Sequence, residues 1–105
     1  MKSNNYYITT PIYYPSGSPH MGHAYSSIFA DVFARFNRND NINVFFLTGT
    51  DEHGLKIQKA AQKNKLEPKI YCDKISEVFR DLTKKLNLSN DDFIRTTEKR
   101  HHIAV

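Results

Sequence analysis

Hydrophobic and polar positions alternate between two periods along this chain. Residues 6–10, Tyr-Tyr-Ile-Thr-Thr, are a run of aromatic and β-branched side chains that predicts a first strand. From about residue 22 to 37, Ile28, Phe29, Val32, Phe33 and Phe36 recur at three- and four-residue intervals. That spacing predicts a helix whose apolar face packs on the sheet, with Asp31 and Arg35 as a modest i,i+4 pair on its wet side. Residues 37–41, Asn-Arg-Asn-Asp-Asn, have the composition of a stop and turn. Residues 43–47 form a short apolar run suited to a buried parallel strand.

A second helix is predicted over residues 55–64, with Ile57, Ala60 and Ala61 on one face and Lys56, Lys59 and Lys63 on the other. The lysine stripe reads as a solvated face before it reads as an RNA contact. Pro68 opens a longer helix in the position proline tolerates best. Tyr71, Ile75, Val78, Phe79, Leu82 and Leu86 are its predicted buried stripe, and residues 87–90 end it. Residues 93–97 read as a third strand, and 98–105 as the opening of another helix. Strands alternating with helices predict an α/β fold with a parallel sheet and flanking helices.

Composition narrows the picture modestly. The chain has 105 residues, room for one small domain, and 39% hydrophobic residues, enough for a core. A net charge of +4 suits contact with ATP or RNA without demonstrating it. The single cysteine, Cys72, excludes an internal disulfide and a Cys-only zinc site within this sequence. Residues 1–5 lack the apolar core of a signal peptide, and no run has the length of a membrane span, so a cytoplasmic protein without membrane partners is expected.

The candidate chemistry lies where strands hand over to helices, which in open α/β sheets is where ligands bind. Pro11, Pro15, Gly17 and Pro19 hold residues 11–19 off helix, and His20, Gly22 and His23 follow at the helix entrance. A helix amino end suits an anion such as phosphate and disfavours a protonated imidazole. Both histidines are therefore expected to be mostly neutral, each with one N–H to offer a phosphate oxygen. Gly22 would let a flat ring lie close to the backbone. The competing readings are surface histidines, or metal ligands with partners from elsewhere. The second handover, residues 48–54, carries Asp51; Thr50 or Asp51 could simply cap the next helix.

Pro19-His20-Met21-Gly22-His23 resembles the HIGH signature of class I aminoacyl-tRNA synthetases, with Met in the second position. The flanking Thr9-Thr10-Pro11-Ile12-Tyr13-Tyr14 and the block Phe45-Phe46-Leu47-Thr48-Gly49-Thr50-Asp51-Glu52-His53-Gly54 narrow the likeness to the methionyl-tRNA synthetase family. The resemblance runs along essentially the whole chain and implies a Rossmann-type catalytic domain. It also implies ATP-dependent activation of methionine to methionyl-adenylate and transfer to tRNA. His20 and His23 would then be catalytic, contacting ATP phosphates together with Gly22, which would meet the adenine. Ile12 and Tyr14 would line the methionine side-chain pocket, where a sulfur–aromatic contact favours a thioether. Asp51 would hold the substrate α-ammonium group, with His53 and Gly54 in support.

ATP would arrive with Mg²⁺ as substrate; no protein residue stands out as a metal ligand, and the zinc-binding insertion of many relatives has no counterpart here. Neither has the KMSKS loop that clamps the triphosphate, nor the anticodon-binding domain. Residues 1–105 are accordingly expected to be the amino-terminal portion of the catalytic domain, from a split or truncated gene. Such a portion would be inactive alone or completed by a second chain, with tRNA recognised through the missing regions. The alternatives are another class I synthetase, a nucleotidyltransferase with the same His-x-Gly-His helix entrance, and a non-catalytic nucleotide-binding fragment.

Overall fold

The computed structural model describes residues 4–105. In order they form β1 (Asn5–Thr9), α1 (Met21–Asn39), β2 (Asn43–Thr50), α2 (Leu55–Lys63), α3 (Pro68–Lys85), β3 (Asp92–Arg95) and α4 (Lys99–Ala104). The strands pair in parallel in the order β1-β2-β3, with Asn5 opposite Asn43 and Leu47 opposite Asp92. Because every strand runs the same way, the segments after Thr9, Thr50 and Arg95 all leave the sheet at one end. β2 continues past the predicted apolar run through Thr48, Gly49 and Thr50, because β3 supplies ladder partners there and Tyr13, beyond the end of β1, bridges to Thr50. At Gly49 an added Cβ would lie 1.9 Å from the Ile94 carbonyl oxygen, so this close approach of β2 and β3 requires glycine.

Both crossovers lie on one face of the sheet. Ala30 and Ala34 of α1 pack on Val44 and Phe46, with Ile8 and Ile42 beside them. Phe79 of α3 packs on Phe93 and Tyr13, and Phe93 pairs with Thr48, on the same side as Phe46 by the two-residue alternation of a strand. Ile57 and Ala61 of α2 meet Tyr71 and Cys72 of α3 in a third cluster. On the opposite face Tyr7 and Phe45 stack on each other and are otherwise exposed.

α1 is turned over relative to the sequence expectation. Its small residues Ser27, Ala30 and Ala34, with Asp31, face the sheet. Ile28, Phe29, Val32, Phe33 and Phe36 point outward, Phe29 58% and Phe36 71% exposed. Residues 27, 30, 31 and 34 have helical spacing too, and their size lets the helix axis come close to β1 and β2. The large apolar stripe is instead an aromatic ladder, with Phe29 and Phe33 centroids 5.2 Å apart. Asp31 is accordingly buried and not on a wet side. It accepts the Ser89 N–H at 2.7 Å, the Ser89 hydroxyl and the Arg35 Nε at 2.8 Å, tying α1 to the segment before β3. The α3 stripe is shifted as well: Tyr71 and Phe79 are buried with Cys72, Ser76 and Thr83, whereas Val78 is exposed.

Candidate active site

His20 is the residue before the first turn of α1, in extended conformation, and its Nδ1 accepts the Gly22 N–H at 3.0 Å. His23, one turn on, accepts the His20 N–H with its own Nδ1, also at 3.0 Å. The two imidazoles thus form a reciprocal capping box, the arrangement a Ser and a Glu usually make. An Nδ1 that accepts carries no proton, so each neutral ring bears its hydrogen on Nε2. The helix's own donors are largely consumed, since His23 N–H and Ala24 N–H go to the His20 carbonyl. With the His20 and Gly22 N–H groups taken by the two imidazoles as well, the side-chain donors left at the helix entrance are the two Nε2–H groups.

The rings lie 4.0 Å apart, centroid to centroid. Burial pushes the His23 pKa down, and His20 beside it adds to the effect, so the folded chain favours the neutral imidazole more than an unstructured peptide does. Gly22 carries the constraint expected of it on a different partner. A Cβ there would sit 2.8 Å from the His20 Cε1 and 3.1 Å from its Nδ1, so the flat ring lying on the Gly22 backbone is His20 itself.

Tyr13 joins this helix entrance to the end of β2. Its ring stacks on Phe79 at 5.1 Å and meets His23 edge-on at 5.3 Å. Its backbone bridges to Thr50, donating to the Gly49 carbonyl at 2.9 Å and accepting the Asp51 N–H at 2.7 Å. Tyr14 turns the other way, onto the cluster of α2 and α3, and Ile12 stays 40% exposed on the loop. Gly54, at φ +115, leaves room for the Tyr14 hydroxyl, which lies 2.3 Å from where a Cβ would be.

Asp51 does not cap α2. The residue preceding that helix is Gly54, with no side-chain cap, and Thr50 donates its hydroxyl to Glu52 at 2.6 Å. The Asp51 carboxylate accepts one long bond, from His53 N–H at 3.4 Å, which leaves most of its acceptor capacity uncommitted. His53 is exposed, with its Nε2 3.3 Å from the Thr96 carbonyl.

Sequence reasoning missed Glu52 and Arg95. The Glu52 side chain is fully buried and accepts Arg95 Nε at 2.7 Å and Arg95 Nη2 at 2.9 Å, a bidentate pair. Thr50 and Thr97 hydroxyls complete its shell, and Arg95 reaches Asp73 on α3 at 2.6 Å. An arginine inside the strand-like run 93–97 was the available signal, because a charge in a buried strand needs a partner. Behind them Cys72 is buried, its thiol pKa pushed up to about 11. Among the described residues no group of three His, Cys, Asp or Glu side chains is placed to hold a metal ion. None of their helices is long and apolar enough to cross a membrane.

Residues 6–105 match the family described as tRNA synthetases class I (M). The chain belongs to this family. As a class I (M) synthetase sequence it is 58% identical over 102 residues to methionine–tRNA ligase of Rickettsia prowazekii, covering 97% of this chain and 20% of that protein. Against methionine–tRNA ligase of Mesorhizobium japonicum it is 54% identical over 104 residues, covering 99% of this chain and 20% of the relative. A solved structure of Mycobacterium tuberculosis methionyl-tRNA synthetase in complex with methionyl-adenylate superposes with a TM-score of 0.95 at 48% identity, covering 96% of this chain and 20% of that one. The three parallel strands and flanking helices are therefore the Rossmann-like fold of class I synthetases. The chain spans about a fifth of the length of the relatives it matches.

Proposed function

We propose that this chain is the ATP- and methionine-contacting amino-terminal portion of a methionine–tRNA ligase catalytic domain. In the first step a methionine carboxylate oxygen attacks the α-phosphorus of ATP, and the bond from that phosphorus to the pyrophosphate oxygen breaks. Mg²⁺ enters with the nucleotide as part of the substrate. The methionyl group then passes from the adenylate to the terminal ribose of tRNA, with release of AMP.

The observation that carries the reading is the paired Nδ1 acceptors of His20 and His23, which leave two neutral Nε2–H donors side by side at a helix amino end. Phosphoryl chemistry asks the protein for positioned donors on oxygens where charge develops more than for covalent help. His20 and His23 take that role, and Gly22 takes part in ATP binding by giving the His20 ring room to lie against the helix start. The uncommitted Asp51 carboxylate holds the methionine ammonium group, and Tyr14 and Ile12 shape the side-chain pocket.

The clamp on the far side of the triphosphate and the tRNA-binding surfaces would come from polypeptide other than these residues. The outward aromatic ladder of α1 and the bare Tyr7–Phe45 face favour a covering chain or domain. Residues 1–105 alone are accordingly expected not to aminoacylate tRNA. We place the reaction in the cytoplasm, where aminoacyl-tRNA is consumed.

The test is methionine-dependent ATP–pyrophosphate exchange by two proteins. One is the isolated chain, and the other is a chimera carrying this chain in place of the matching fifth of the Rickettsia prowazekii enzyme. Exchange by the chimera and not by the chain alone is the expected result. A folded chimera without exchange overturns the assignment, and enzyme-like exchange by the chain alone overturns its dependence on further polypeptide.

A further inference from the structure

The Glu52–Arg95 pair sits at an unusual place for a structural ion pair. Burying two charges costs more than their attraction returns unless the geometry is close to ideal, and apolar replacements of such pairs are often as stable or more so. Here the geometry is close to ideal: two parallel guanidinium bonds, two threonine hydroxyls and a second carboxylate at Asp73. What this network fixes is the short irregular stretch between the end of β2 and the start of α2. The Glu52 N–H leaves the ladder and goes to the Thr96 hydroxyl at 2.8 Å, while the Asp51 N–H goes the other way, to Tyr13. Asp51 is thus held by its backbone from two sides and almost not at all by its own side chain, whose one bond is 3.4 Å long.

We infer that Glu52 and Arg95 are positioning residues which aim the Asp51 carboxylate at the substrate ammonium group through the backbone they anchor. The inference rests on the methionine-binding role proposed for Asp51. Apart from that one long bond from the His53 N–H, the Asp51 carboxylate keeps its acceptor capacity open, as a carboxylate that must accept an ammonium group should. Its direction is set one residue away, by a neighbour whose side chain points into the core. Arg95 carries the fixing across the sheet to β3 and through Asp73 to α3, so the carboxylate is referenced to the rigid body of the fold.

The experiment is a double-mutant cycle in the chimera, read by pyrophosphate exchange with methionine and ATP varied separately. Asp51→Asn is the reference and raises methionine KM if the underlying role is right. Glu52→Gln is expected to raise methionine KM about tenfold and leave ATP KM within twofold. Combined with Asp51→Asn it adds less than twofold to the KM of Asp51→Asn alone, because it acts through that carboxylate. Because Glu52→Gln strands a buried guanidinium and threatens folding, Glu52→Leu/Arg95→Met is the companion variant. It is expected to keep the melting temperature and still raise methionine KM. If Asp51→Asn leaves methionine KM unchanged, the role of Asp51 fails, and the inference with it. If Asp51→Asn raises KM and the cycle is additive, or the Leu/Met variant binds methionine normally, the inference alone is overturned.

Discussion

The Nδ1 of His23 accepts the backbone N–H of His20, so the second histidine of the motif caps the helix on which it sits. The two rings are therefore part of the helix start as well as candidate ligands for phosphate, and changing either has two consequences. In the chimera, His20→Ala or His23→Ala is expected to raise the barrier to adenylate formation by about 2–4 kcal/mol, the scale of losing one oxyanion donor. Loss of the cap contributes a further destabilisation of about 0.5–2 kcal/mol. Methionine affinity stays unchanged. Single-turnover adenylate formation together with thermal melting separates the two effects. Stoichiometric zinc in the purified chimera, lost on His20→Ala, would reverse the assignment.

Protonation breaks the same arrangement. Below the ordinary histidine value of about 6.5 the unfolded chain takes up a proton at position 23 that the folded chain resists. The lowered folded pKa thus contributes stability that is fully present above about pH 6.5 and is lost as pH falls through the folded value. A protonated His23 has no Nδ1 acceptor, so the His20 N–H loses its partner in the same range. Nitrogen-15 spectra of the imidazoles are expected to show the Nε2–H tautomer at neutral pH and a titration of His23 below that of an unstructured peptide.

Gly22→Ala tests the contact between the ring and the backbone. The added methyl gains about 1 kcal/mol of helix propensity. It also drives against the His20 imidazole, which must leave its bond to the Gly22 N–H. Melting temperature is expected to change little while adenylate formation falls with the displaced His20. A rise in stability with unchanged activity would show that the ring tolerates the methyl.

Gly54→Ala acts on Tyr14. The position has φ +115, strained for any residue with a Cβ by about 1–3 kcal/mol, and the methyl collides with the Tyr14 hydroxyl. The expected outcome is a lowered melting temperature and a raised methionine KM, with ATP KM preserved. A clean stability loss with normal methionine KM would remove Tyr14 from the pocket.

Asp31 gives the fold an acid-sensitive tie. Burial by itself raises its pKa, but the Ser89 hydroxyl and N–H and the Arg35 guanidinium outweigh that and hold the carboxyl below the usual range. Its contribution is present above about pH 4, the ordinary aspartate value, and is lost as pH falls through the folded value. Asp31→Asn is expected to flatten the acid limb of the stability curve between pH 5 and pH 2, an outcome that denaturant melts at several pH values check.

The elements themselves were legible because strand runs and helical spacing depend on local side-chain chemistry, which the order of residues displays directly. The motif residues were legible for the same reason, since His20, Gly22 and His23 sit where a strand–loop–helix order puts them. The orientation of α1 was not. Both of its stripes have helical period, and nothing local says that the small one meets the sheet while Phe29 and Phe33 do not. The Glu52–Arg95 pair was equally hidden. Its partners are 43 residues apart, and a glutamate among turn residues gives no sign that it is buried.

The sheet's spatial order is also its order of synthesis. β1 meets β2 across 38 residues and β2 meets β3 across 45, so closing the second loop costs only about 0.15 kcal/mol more than closing the first on chain-entropy grounds. Neither pairing has an entropic head start, and no strand has to be threaded between two others already joined. A nascent chain leaving the ribosome can therefore add each strand to the one before it as it emerges, with its crossover helix already laid on the covered face. The His20–His23 capping box is local to the start of α1, whereas the seat of that helix waits for Val44 and Phe46 of β2, and the Asp51 carboxylate would be aimed only once Arg95 has been translated.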